Sequence, residues 1–143
     1  MKIALDTSVI IEFAALGAPR HAVTEATVAR YRAEQAEIVV AEPALLESFS
    51  VLSRAPAPIG MPAAQAERLL LRDFGTATIA PMHDAMAWRV IRYALARGQR
   101  GGRVYDAAIA MASYEAGARL LLTWNLRDFL MVAPVGLEIR TPE

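Results

Sequence analysis

The sequence predicts one α/β domain over residues 1–143, in which helices cover both faces of a central, mostly parallel sheet of four to five strands. Segments typical of strands alternate with segments typical of helices through most of the chain. The strand segments are continuous apolar runs, which indicates strands buried on both faces by two layers of helices. We therefore expect a three-layer α/β/α sandwich with its functional site beyond the carboxyl ends of the strands.

The amino-terminal half begins with a short apolar strand, and the following helix is expected to end at Gly17 and Pro19. Pro43 lies where the first turn of a helix tolerates proline. The segment 55–62 contains three prolines and one glycine, which predicts a loop. The elements predicted in this half are strand 2–6, helix 7–17, helix 21–36, strand 37–41 and helix 43–54.

The carboxyl-terminal half continues the alternation of helices and strands. Apolar residues recur at helical spacing before Gly98, and the stripe consists of Ala87, Val90, Ile91, Ala94 and Leu95. Gly117 is expected to end an alanine-rich helix, after which a leucine-rich strand begins. The predicted elements are helix 63–74, strand 76–80, helix 83–97, helix 103–116, strand 119–123, the short helix 125–130 and strand 137–141.

Composition excludes several classes of protein. With 55% hydrophobic and 21% charged residues, the chain is too apolar to be disordered. No apolar run approaches the roughly 20 residues that span a bilayer, so no membrane association is expected. The absence of cysteine excludes disulfides, thiolate nucleophiles and zinc–thiolate sites, and it suits a reducing compartment. The start MKIALD lacks the features of a secretory signal, so a cytoplasmic protein is expected.

Acidic and polar residues lie at the predicted strand ends and helix starts. They are Asp6 after the first strand, Glu47 in the helix after the second, Asp106 at the start of an alanine-rich helix, and Thr123, Asn125 and Asp128 after the fourth strand. Carboxylates that face one another repel and raise each other's pKa, so such a cluster needs a cation. Oxygen ligands without cysteine or nearby histidine predict Mg²⁺ or Mn²⁺, which are typically bound together with substrate phosphates.

Three segments carry a resemblance to a known family. They are IALDTSVIIEF at the start, EPALLESFSVLSR in the middle and YDAAIAMASYEAGARLLLTWNLRDF near the end. In this order they resemble the three signature blocks of PIN-domain ribonucleases, in particular the VapC toxins of bacterial toxin–antitoxin pairs. The resemblance spans essentially the whole chain. It implies a PIN-like fold and an endoribonuclease that hydrolyses phosphodiester bonds of RNA with the help of Mg²⁺ or Mn²⁺.

The resemblance also implies roles for individual residues. Asp6, Glu47 and Asp106 match the metal-binding acids of the family. Asp128 is the preferred fourth carboxylate, with Thr123 and Asn125 as polar support, although Asn125 stands where some members have an acid. Thr7 or Ser8 matches the hydroxyl that follows the first aspartate and would orient it.

Similar proteins cleave RNAs such as tRNA, rRNA or mRNA, and a cognate antitoxin inhibits them by inserting its tail into the groove. The expected assembly is a homodimer or a toxin–antitoxin hetero-oligomer. A catalytically silent PIN-like binding module and a PIN nuclease of RNA processing are the alternatives. A phosphatase with an aspartate nucleophile is disfavoured because LDTS lacks its second aspartate and Lys2 is the only lysine.

Structural explanations compete with these roles. Asp6 and Asp106 occupy positions where aspartate often caps a helix. Glu47 lies among leucines and phenylalanine, and a carboxylate buried there would need a partner. Glu42, beside Pro43, is expected to be an exposed helix-terminal charge, and Glu12 is expected to support the site from its edge.

Basic residues are concentrated in one stretch without any acid, between Trp88 and Tyr105. They are Arg89, Arg92, Arg97, Arg100 and Arg103. These arginines could contact RNA phosphates, or they could form an ordinary solvated helix face. Trp124 could likewise stack on a base or pack in the core.

The 15 basic and 15 acidic residues balance. Setting aside the four predicted site acids leaves 11 acids against 15 bases, so the remaining surface is modestly basic.

Overall fold

The computed structural model describes residues 1–143 and contains one five-stranded sheet in which every pair of neighbouring strands is parallel. In chain order the elements are β1 (Lys2–Leu5), α1 (Thr7–Ala14), α2 (His21–Ala33), β2 (Glu37–Ala41), α3 (Glu42–Arg54), α4 (Ala63–Phe74), β3 (Thr78–Ala80), α5 (Met86–Ala96), α6 (Arg103–Glu115), β4 (Leu120–Leu122), α7 (Leu126–Leu130) and β5 (Glu138–Arg140). The predicted order of elements and the α/β fold class are confirmed.

Both faces of the central strands are covered. Ile3, Ala4 and Leu5 are fully buried, and consecutive side chains of a strand point to opposite faces of the sheet. Helices α1 to α4 pack on one another, and α6 packs on both α5 and α7. The three-layer arrangement therefore follows from the continuous apolar strands. None of the helices combines the length and hydrophobicity needed to cross a membrane.

Helix α5 departs from its prediction in its start and in its buried face. It begins at Met86 because Ala85 adopts a left-handed conformation, with φ of 57°, that cannot continue a right-handed helix. Met86, Val90 and Ala94 are buried at intervals of four residues. Ile91 and Leu95 lie one position later on the helix and are 50% and 74% exposed. Ala87 is exposed as well, so only Val90 and Ala94 of the predicted apolar stripe are buried and its other three members were wrongly assigned.

The strand order β3-β2-β1-β4-β5 positions the site. From β1 the chain proceeds to β2 and β3 on one side, and it then forms β4 and β5 on the other side. Such a change of direction opens a crevice beyond the carboxyl ends of the strands on either side of it, which are β1 and β4. The backbone N–H of Asp6, after β1, donates to the carbonyl of Leu122 at the end of β4 at 3.0 Å. The segments that follow β1 and β4 therefore meet at this crevice.

Candidate active site

Asp6 is held rigidly at the carboxyl end of β1. Its Oδ2 accepts hydrogen bonds from Ser8 Oγ at 2.7 Å and Thr123 Oγ1 at 2.7 Å, and from the backbone N–H of Ser8 at 3.4 Å. Asp6 thus caps α1, as the structural explanation proposed. Because these hydrogen bonds all end on Oδ2, capping leaves Oδ1 available for another ligand. Burial raises the pKa of Asp6, and the hydrogen bonds from Thr123 and Ser8 partly oppose that rise.

Two hydroxyl groups connect the start of α1 to the segment after β4. Ser8 Oγ accepts the backbone N–H of Trp124 at 2.9 Å, and Thr123 Oγ1 accepts the backbone N–H of Asn125 at 2.9 Å. The supporting role expected for the Thr7 hydroxyl was wrong, because Thr7 Oγ1 is buried without a partner. Ser8 orients Asp6 instead. Thr7 and Ser8 both follow Asp6 closely in the sequence. The direction in which each side chain leaves the first turn of α1 determines that Ser8, and not Thr7, contacts Asp6.

Asp106 lies in the first turn of α6 and is half-buried. Its pKa is raised to about 7, first by burial and then by the negative charges of Asp6, Asp128 and Glu47, against the charge of Arg103. The other three predicted acids are therefore close enough to Asp106 to act on it electrostatically. Asp106 makes no ion pair, so its carboxylate is free to bind a cation.

Glu47 is exposed, and the buried environment expected for it was wrong. Helix α3 directs Ala44, Ser48 and Leu52 into the core at intervals of four residues. Glu47 immediately precedes one of these positions and is turned to the surface. Its charge still raises the pKa of Asp106, which places it at the rim of the site.

Asp128 is already paired. Its Oδ1 accepts a hydrogen bond from Arg103 Nη2 at 3.0 Å, and its Oδ2 accepts one from Asn125 Nδ2 at 3.1 Å. Hydrogen bonding by Asn125 and then by Arg103 lowers the pKa of Asp128. Asn125 therefore contacts Asp128, and Thr123 contacts Asp6.

The carboxylates of the site suit a hard cation that takes one or two of them and fills its other positions with water or phosphate. No group of three or more acidic or histidine residues stands in an arrangement that could hold a metal ion by itself. Mg²⁺ commonly takes one or two carboxylates and completes its shell with water and substrate phosphate. Asp6 and Asp106 both have carboxylate oxygens free of hydrogen bonds, and they suit a cation bound in that way.

Two further acids have structural contacts. Glu42 accepts the backbone N–H of Met82 at 2.8 Å, in keeping with the structural role expected for it. Glu12 accepts the backbone N–H of Arg20 at 2.8 Å and lines a groove of about 500 Å³ beside the site. Trp124 also lines this groove, with the Arg20 guanidinium 4.7 Å from its ring centroid. The sequence did not indicate this stacked pair, whose members are far apart in the chain.

The five arginines between Trp88 and Tyr105 do not form one free basic face. Arg89 forms an ion pair with Glu115, and Arg97 donates to the carbonyl of Ala133 at 2.9 Å. Arg103 pairs with Asp128. Arg92 and Arg100 are exposed and form no ion pair. Of the five, Arg103 is the one whose charge acts on the acid cluster.

Replacing Thr123 with valine should weaken Mn²⁺ binding. The change removes the hydroxyl that donates to Asp6 Oδ2, and the loss of such a supporting partner typically lowers metal affinity by about 10–100-fold. Isothermal titration with MnCl₂ would measure the effect. Thr7→Val is the matched control, because the hydroxyl that it removes makes no hydrogen bond. Equal weakening by the two variants would contradict the expectation.

Comparison with known proteins agrees with this fold. The PIN domain family model matches residues 3–132. No curated protein matches the chain significantly. The fold is similar to VapBC2 from Rickettsia felis bound to a DNA fragment from their promoter, with 16% identity, 100% coverage of both chains and a TM-score of 0.73.

Two other solved structures are similar at a TM-score of 0.62 and 16% identity. Mycobacterium tuberculosis VapC20, a sarcin-ricin loop cleaving toxin, matches over 83% of this chain and 86% of its own. FitAcB from Neisseria gonorrhoeae matches over 98% and 97%. At such identities these structures show a shared fold. With the family match over most of its length, the chain belongs to the PIN domain family.

Proposed function

We propose that this protein is a Mg²⁺- or Mn²⁺-dependent endoribonuclease and the toxin of a type II toxin–antitoxin system. The observation that carries the proposal is that three acids, Asp6, Asp128 and Glu47, act on Asp106 near the change of strand order and, together with burial, raise its pKa to about 7. Clusters with such shifted pKa values in a crevice are typical of functional sites. Asp6 and Asp106 are the proposed metal ligands.

The proposed reaction is in-line hydrolysis of a phosphodiester bond. A bound divalent ion would polarise a non-bridging phosphate oxygen and lower the pKa of a water ligand. Ser8 and Thr123 hold Asp6 in place through its Oδ2, so that Oδ1 keeps a constant position. Glu47 at the rim is unpaired and is proposed to accept the proton that the attacking water loses.

Similar structures support the choice of partner and substrate. The VapC20 structure is that of a toxin that cleaves the sarcin-ricin loop, and VapBC2 was solved on DNA from its own promoter. We propose tRNA, rRNA or mRNA as the substrate and a cognate antitoxin protein as the inhibitor. We also propose that the protein assembles in the cytoplasm as a homodimer or as a toxin–antitoxin hetero-oligomer.

Metal dependence is tested with the purified protein and labelled bulk tRNA and rRNA. Cleavage should occur with Mg²⁺ or Mn²⁺, stop in EDTA and resume when excess Mg²⁺ is added. Cleavage that continues unchanged in EDTA would contradict the proposal.

Brief induction in cells, followed by mapping of new RNA 5′ ends, would identify the substrate. Cleavage without growth arrest would favour a PIN nuclease of RNA processing.

A second candidate function is a catalytically silent PIN-like binding module. The observation that favours it is the lack of any three acids arranged to hold an ion by themselves. A titration of the whole protein with MnCl₂ separates the two functions. Binding of Mn²⁺ supports the nuclease, and the absence of binding supports the silent module.

A further inference from the structure

Three hydrogen-bonded side chains form one wall of the candidate site. Asn125 donates to Asp128 at 3.1 Å, and Arg103 donates to the other oxygen of Asp128 at 3.0 Å. We call these residues the Asn125–Asp128–Arg103 chain. Arg103 lies three residues before Asp106 on α6, so the two side chains share a face of that helix. The guanidinium is therefore fixed beside a proposed metal ligand.

The two hydrogen bonds of Asp128 make it a poor candidate for a metal ligand. Each of its carboxylate oxygens already accepts one hydrogen bond, Oδ1 from the Arg103 guanidinium and Oδ2 from the Asn125 amide. A metal ion bound to this carboxylate would lie next to the positively charged guanidinium of Arg103, which repels it. Asp6 and Asp106, by contrast, each keep an oxygen without a hydrogen bond. Asp128 is better suited to be the counter-ion of Arg103.

Arg103 still has donors to offer. A guanidinium carries five N–H groups, and Arg103 uses one nitrogen on Asp128 while its Nε is buried without an acceptor. Its side chain is 34% exposed, and its charge acts on Asp106, so the guanidinium lies beside the acid cluster and is partly open to solvent. The planar fork of a guanidinium matches the geometry of phosphate oxygens. Arg89 and Arg97, by contrast, are bound to groups outside the acid cluster.

We propose that Arg103 binds a non-bridging phosphate oxygen of the RNA beside Asp106, and that Asp128 and Asn125 are positioning residues for Arg103 rather than metal ligands. The inference rests on the proposed nuclease function. It reassigns the acid that the sequence favoured as the fourth ligand. The metal ion and the phosphate are then held by different residues, which can be separated by experiment.

RNA binding without metal tests the role of Arg103. Anisotropy of a fluorescent RNA hairpin in EDTA, over a range of salt concentrations, gives the salt dependence of affinity. Arg103→Ala should weaken binding and reduce the slope of log K against log salt by about 0.7–0.9, the value for one lost phosphate contact. Arg103→Lys keeps the charge and should retain the slope, although it loses the fork and should cleave more slowly. An unchanged slope in Arg103→Ala would overturn the proposal.

Arg72→Ala is the matched control, because Arg72 is an exposed arginine of α4 that forms an ion pair with the neighbouring Asp73. It should bind the hairpin with the slope of the wild type. Asp128→Ala should weaken RNA binding in the wild-type background and have no further effect when Arg103 is already alanine. Additive effects of the two substitutions would contradict the positioning role. Thermal unfolding confirms that each variant is folded.

Mn²⁺ titration tests the role of Asp128. Asp128→Asn should lose clearly less Mn²⁺ affinity than Asp106→Asn, because it removes a neighbouring charge but no ligand. Asp106→Asn should lose at least about 10–100-fold. Equal losses of Mn²⁺ affinity in both variants would identify Asp128 as a ligand. That result would overturn this inference and leave the proposed nuclease function standing. A wild-type protein that neither binds Mn²⁺ nor cleaves RNA would instead overturn the proposed function, and this inference with it.

Discussion

Asp6→Asn should abolish metal-dependent RNA cleavage while the protein stays folded. The asparagine retains the size of Asp6 and an oxygen that can accept from Ser8 and Thr123, so the cap of α1 persists. The negative charge for the cation is lost. Because loss of a supporting partner alone costs about 10–100-fold, loss of the ligand charge should cost at least about 100-fold. Initial rates of cleavage of labelled tRNA, with Mn²⁺ at saturation, measure this loss.

The stability of Asp6→Asn provides an internal check on that result. Burial raises the pKa of Asp6, so the folded protein gains from removal of the charge. The melting temperature in EDTA should therefore be at or above that of the wild type. Asp84→Asn replaces an exposed acid outside the site and should cleave like the wild type. An Asp6→Asn protein that cleaves at the wild-type rate would contradict the assignment.

Asp106→Asn should stabilise the metal-free protein, and the gain should depend on pH. The carboxyl of Asp106 has a pKa of about 7 in the folded state, against 3.8 as its ordinary value. Between these values the unfolded chain ionises while the folded site keeps its proton, so ionisation progressively favours unfolding. The gain from asparagine should be full above about pH 7 and should shrink as the pH falls toward 3.8. Thermal unfolding in EDTA from about pH 5 to pH 8 measures it.

The same titration should control metal binding. Mn²⁺ must compete with the proton of Asp106, so the affinity of the wild type should fall about tenfold for each unit of pH below about 7. Added Mn²⁺ should raise the melting temperature of the wild type and have little effect on Asp106→Asn. Asp84→Asn should follow the wild type in both measurements. Destabilisation of Asp106→Asn at alkaline pH, or an affinity independent of pH, would contradict the expectation.

The amino-acid sequence by itself determined the fold and the neighbourhood of the site. Continuous apolar runs such as residues 3–5 are buried on both faces only in a sheet between two helix layers, so the architecture could be predicted. Parallel strands end at one edge of the sheet, and for that reason Asp6 and Thr123 could be expected to meet. They do so at 2.7 Å. The metal-binding roles assigned by resemblance stay predictions until they are tested.

The tertiary structure alone decided which side chains contact one another. Successive helix positions differ by about a quarter turn, and this rotation exposes Glu47 and makes Ser8 rather than Thr7 the partner of Asp6. The pairing of Arg103 with Asp128 joins residues 25 positions apart, through side-chain directions that no local pattern encodes. Residue types and their order fix where strands end. Hydrogen bonds across the crevice determine which acids stay free for a cation and which arginine remains beside them.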